Sequence, residues 1–127
     1  MQFYLLDFIS FTLTDVILLA LLASVIIGVV EALIILPFKV NTAGKVFLFT
    51  IAINVISSGM GLALQYWYTE VLTSIALQWL IAFVLSVLIE GFLFVLLNKR
   101  KEEKKVWQAV LVANMVTYGI LIAFTTL

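Results

Sequence analysis

Four apolar runs, each long enough to cross a bilayer, take up nearly the whole 127-residue chain. Residues 16–38 contain one charge, Glu31, and residues 71–97 contain only Glu90; residues 46–68 and 106–127 contain none. About 20 apolar residues make a transmembrane helix, so the expected fold is an all-α integral membrane bundle of four helices. With 65% apolar and 11% charged residues, the chain is far from a soluble domain, in which about 25% of residues are charged. The four runs leave no stretch within it for a soluble domain, so one membrane domain spanning 1–127 is expected. Met1 to Ser10 has no Lys or Arg and so lacks the basic start of a signal peptide.

All seven basic residues fall in two loops, Lys39 and Lys45 in one, and Lys99, Arg100, Lys101, Lys104 and Lys105 in the other. These loops follow the first and third runs and therefore share a side. The opposite side carries Asp7, Asp15 and Glu70 and no positive charge. By the positive-inside rule, loops 39–45 and 98–105 are cytoplasmic and both termini lie outside. An inner or plasma membrane location is expected. Tyr66, Trp67 and Tyr68 read as an outer aromatic belt, with Phe38 and Trp107 at the inner boundary. Counting about 20 residues back from Lys99 puts the outer entry of the third helix at Trp79. Phe3 to Phe11 are expected along the outer surface, with Thr12 and Asp15 as a capping pair where the first helix descends. Pro37 and the Asn41 to Gly44 cluster read as a helix stop.

The two halves match at an offset of 59 to 60 residues: Glu31 with Glu90, Lys45 with Lys105, Asn54 with Asn114, and Gly59 with Gly119. Asn54-x-x-Ser57-x-Gly59 recurs as Asn114-x-x-Thr117-x-Gly119. Tandem two-helix units, about 13–68 and 72–127, are therefore expected. Each unit crosses twice, so they would be parallel repeats about a pseudo-twofold axis along the membrane normal.

Depth is the sharpest constraint on chemistry. Glu31 and Glu90 lie eight and nine residues before Lys39 and Lys99; Asn54 and Asn114 each lie nine after Lys45 and Lys105. At 1.5 Å per residue all four sit about 12–14 Å from the inner boundary, near the middle of a core about 30 Å thick. A carboxylate there costs at least about 2.5–3.5 kcal/mol. No Lys, Arg or His lies in the spans to offset it, which leaves protonation, hydrogen bonding to asparagine, or a bound cation. At least one proton shared between the two glutamates is expected.

A proton, cation or substrate site is thus expected at Glu31, Glu90, Asn54, Asn114, Ser57 and Thr117. Helix packing is expected at Ala20, Ser24, Gly28 and Ala32, a four-residue ladder of small side chains, and at Gly59, Gly61 and Gly119. The corresponding function is a proton- or cation-handling transporter or channel, or a subunit of one. A filled four-helix interior would call for a homodimer or higher homo-oligomer. The alternative is a non-catalytic accessory or scaffold subunit that binds another membrane protein and uses the Glu/Asn layer as a hydrogen-bond clamp. Against a clamp, an interhelical hydrogen bond contributes only about 0.6 kcal/mol. No nucleophile, phosphate loop or catalytic set accompanies the glutamates, so no enzyme is expected. With neither Cys nor His, no metal or other cofactor is expected. The partner surface is the lipid bilayer, and nothing suggests nucleic acid.

Overall fold

The computed structural model describes the backbone of residues 2–71 and 74–126 and the side chains of residues 14–64 and 74–126. Four helices follow in order: α1 (Gln2–Ile35), α2 (Ala43–Val71), α3 (Ile75–Leu97) and α4 (Glu103–Thr126). Among the described residues there is no strand. All four helices are long and apolar enough to span a membrane. Their outward faces expose large apolar side chains such as Leu18, Leu19, Leu48, Phe92, Met115 and Phe124. Such a continuous apolar exterior belongs in lipid, where helices bond their own backbones internally.

The ends of the helices follow local chemistry. Pro37 has no N–H to donate, so α1 gives way to a 3-10 turn over Leu36–Phe38. Lys39 then reverses the chain in the left-handed region, φ 54°, its N–H on the Leu36 carbonyl. Ala43 and Gly44 begin α2 rather than ending the loop. At the other basic loop Lys99 and Arg100 are also left-handed (φ 53° and 58°). Arg100 N–H reaches back to the Val95 carbonyl at 2.9 Å, which closes the end of α3 as a Schellman-type cap.

One expected boundary differs. No cap sits at Thr12, because α1 is already helical from Gln2; 34 residues make about 50 Å of helix. No Pro or Gly interrupts residues 2–27, and unbroken helix keeps every backbone bond made. α3 begins ahead of Trp79, the expected point of entry into the bilayer: Ser74 caps it, accepting from Leu77 N–H at 3.4 Å. The side chains of Phe3 to Thr12 and of Tyr66, Trp67, Tyr68 and Glu70 lie outside the described residues.

α1 packs on α2 and α4, and α3 packs on the same two. The helices therefore form a square in chain order, with α1 diagonal to α3. The backbones approach closely at Gly28, where a Cβ would come within 2.9 Å of Ile51 Cα. At Gly59, Gly61 and Gly119 a Cβ would meet no atom of the described residues within 4 Å. The buried apolar core is Ala32, Ile35, Val40, Val46, Ile53, Phe94, Val95, Val106, Ala109, Val110 and Ala113. Every one of these lies on the basic-loop side of the glutamate level, with Val40 in the first loop itself.

The basic end is also tied by Asn98, 2% exposed. Its amide donates to the carbonyls of Val40 (3.2 Å) and Lys101 (2.8 Å), and its oxygen accepts from Asn41 at 2.6 Å. One side chain thereby joins the two loops. By contrast the Arg100–Glu103 and Lys105–Glu102 ion pairs, both 3.6 Å and exposed, contribute little. Replacing Asn98 by leucine strands these partners and is expected to cost about 2–3 kcal/mol. An unchanged unfolding midpoint in detergent would show that the loops are not held there.

Candidate functional site

The six polar side chains singled out by depth and spacing come together in one buried layer. Glu31, Asn54, Ser57, Glu90, Asn114 and Thr117 are all buried. Asn54 donates to Glu31 Oε2 at 2.8 Å, and Asn114 donates to Glu90 Oε2 at 2.7 Å. Each asparagine spends its second amide proton on the carbonyl four residues back, Thr50 or Val110, at 3.0 Å. Both amides are thereby held in one orientation. The remaining contacts cross between hairpins: Thr117 donates to Glu31 Oε1 at 3.0 Å, and Ser57 is a side-chain partner of Glu90. Each carboxyl thus has an asparagine from its own hairpin and a hydroxyl from the other.

The Thr117 hydroxyl has one proton and two near acceptors, Glu31 Oε1 and the Ala113 carbonyl, both at 3.0 Å. A proton on Glu31 Oε1 satisfies both sites at once. The acid then donates to Thr117, and Thr117 donates to Ala113. No such reversal is open to the NH2 groups of the two asparagines, which only donate.

The layer marks a boundary within the bundle. On the basic-loop side lies the close-packed core, with Phe94 (1% exposed) set edge-on to Phe49 at 5.8 Å between ring centres. A void of about 10 Å³ lies among Ile35, Ile53, Phe94 and Val110, just below the glutamates, with room for about one water. On the other side lies a cavity of about 500 Å³. It runs from the two glutamates and two asparagines up to Gln78 and Trp79 near the start of α3. The interior is therefore half filled, not filled throughout. Ala20 and Ser24, expected to pack a neighbouring helix, line this cavity instead, while Gly28 and Ala32 pack. The ladder of small residues changes role along its length.

Depth reasoning did not find Tyr118, whose hydroxyl bonds Ser86 at 2.7 Å and whose ring meets those of Trp79 and Phe83 edge-on at 6.0 and 5.5 Å. It follows Thr117 directly, but a single tyrosine among apolar residues carries no spacing signal. Asn98 was also missed as a clasp; an asparagine at the end of a long apolar run is a recognisable helix stop. Among the described residues no cluster of metal-binding side chains occurs. Comparison of the chain with protein-family models, with curated proteins and with solved structures found no match.

Proposed function

We propose that the protein is a small membrane transporter that takes up protons or other cations at the Glu31/Glu90 layer from the cavity side. The observation that carries this reading is the position of the layer. Two buried carboxyls form the floor of a cavity of about 500 Å³, with a sealed core directly beneath them. A carboxylic acid kept at a dead end inside lipid is costly; one at the end of an access route can load and release. Thr117 is the group that adapts, accepting from Glu31 when the proton is present and donating to it when absent.

On this reading loops 39–45 and 98–105 face the cytoplasm, where all seven basic residues lie, and the cavity opens away from it. Release inward requires the Phe94 plug and the Asn98 clasp to open. The two hairpins are tandem copies about a pseudo-twofold axis. Supporting this are the reciprocal partners of the two glutamates and the left-handed lysines, Lys39 and Lys99, that end α1 and α3. The cavity lies within one chain, so the mechanism needs no second copy, although a homo-oligomer is compatible with it.

Reconstituted in liposomes, the wild type is expected to dissipate a proton or cation gradient. Changing Glu31→Gln together with Glu90→Gln is expected to cut the rate about a hundredfold, the lower end of what one proton-transferring side chain contributes. Wild-type silence across ions, with a stoichiometric membrane-protein partner retained in mild detergent, would favour the scaffold reading instead.

A further inference from the structure

The polar floor of the cavity is shared evenly by the two hairpins, but its walls are not. The α1–α2 side includes Ala20, Ser24, Ser58 and Gly61 beside Ile27 and Leu62, whereas the aromatic side chains of the described lining, Trp79 and Tyr118, both come from the α3–α4 side. At the repeat offset, three small residues of the lining correspond to large ones: Ala20 to Trp79, Ser58 to Tyr118, and Gly61 to Leu121. At these positions the first hairpin is small where the second is bulky. The aromatic wall is also fixed in place, since Tyr118 is bonded to Ser86 and held edge-on between Trp79 and Phe83.

This shape does not suit a bare metal ion. Calcium or magnesium takes six or more oxygens in a tight shell. The floor offers four carboxyl oxygens, and Asn54, Thr117, Asn114 and Ser57 already bond to them. A volume of about 500 Å³ matches a small organic molecule. Among the described residues of the lining, Glu31 from α1 and Glu90 from α3 are the only acidic or basic side chains, Tyr118 from α4 is the other titratable group, and α2 contributes none. No cationic side chain answers the glutamates, so the positive charge must come with the ligand, and aromatic faces attract cations.

Resting on the transport reading above, we propose that the cavity binds an organic ammonium ion with an apolar or aromatic body. Its cationic head sits at Glu31 and Glu90, and its body lies in the slot between the small-residue wall and the Trp79/Tyr118 wall. Protons and the ammonium head compete for the same carboxyls, so loading one releases the other.

Isothermal titration of the full chain in detergent micelles tests this with benzyltrimethylammonium and tetramethylammonium as probes. The benzyl compound is expected to bind at least about tenfold more tightly, because its ring fills the slot, and more weakly in acid than in alkaline buffer. The double change Glu31→Gln with Glu90→Gln should abolish its binding. Tyr118→Leu, checked for an unaltered unfolding midpoint, should weaken it about three- to tenfold. Should Tyr118→Leu unfold the bundle, Ser58→Leu tests the slot from the opposite wall and is expected to exclude the benzyl probe. Equal affinity for the two probes, or binding unchanged in the glutamine variant, overturns the inference. Proton flux without ammonium binding sinks this ligand and leaves the transport reading standing. Ammonium binding by a protein that moves no proton or cation supports the ligand and removes the transport reading.

Discussion

Gly91→Ala is expected to lower stability by about 1–3 kcal/mol, the usual cost of forcing a methyl group into a filled site. A Cβ at position 91 would overlap the Cζ3 and Cε3 atoms of the Trp107 indole. Gly91 is buried, and the six-membered ring of Trp107 occupies the space where its side chain would be, so α3 and α4 meet there through one glycine and one tryptophan. The added methyl must expel the indole or part the helices. The repeat supplies the remedy. One repeat earlier, the positions of Gly91 and Trp107 are held by Ala32 and Phe47, and Ala32 is fully buried. Combining Gly91→Ala with Trp107→Phe therefore places the first hairpin's residues at both positions of the second. The double variant is expected to recover most of the loss, with a coupling of about 1–2 kcal/mol. Unfolding midpoints of the three variants in one detergent decide it; simple additivity of the two changes would show that the indole is not the obstacle.

How much of this was legible beforehand depends on the kind of signal each residue leaves. The four spans and the Glu31, Asn54, Glu90, Asn114 layer follow from hydropathy and from counting residues to the nearest lysine. Rise per residue is nearly constant in helices, and polar residues in lipid are rare. Which partner each glutamate takes was not legible, since a depth count gives height and not azimuth. Thr117 on Glu31 is a contact 86 positions apart, set by how two hairpins dock. The cavity was hidden for a related reason. A ladder such as Ala20, Ser24, Gly28 and Ala32 signals only that little volume is occupied. Whether a neighbouring helix moves in, as at Gly28 against Ile51, or space is left, as at Ala20, depends on the bulk opposite. Here Trp79 and Tyr118 hold the far wall away. The long α1 was missed because Thr12 and Asp15 resemble a capping pair, yet with no Pro or Gly beside them they continue the helix.

Replacing Asn54 by leucine should destabilise the bundle by about 1–3 kcal/mol, whereas replacing Asn54 and Glu31 together by leucine should return it close to wild type or above. The single change leaves Glu31 Oε2 and the Thr50 carbonyl without the amide that serves both, and stranded buried acceptors carry that cost. Removing the carboxyl as well takes away the more expensive orphan. Thr117 is not stranded in the double variant, because its hydroxyl still reaches the Ala113 carbonyl at 3.0 Å. Glu90 meanwhile loses the acid whose charge opposes its own. Exchanging a buried polar pair for well-packed apolar residues is often neutral or stabilising by about 1–4 kcal/mol. Unfolding midpoints and liposome flux measured on the same variants separate the two purposes the layer could serve. A clamp predicts that the doubly apolar bundle is the least stable of the set, since both halves of the hydrogen bond are gone. A transport site predicts a bundle at least as stable as wild type that conducts nothing. The second result would mean that Glu31 is retained against a stability gain two substitutions away, and a side chain kept at that cost in the middle of a membrane is kept for what it binds.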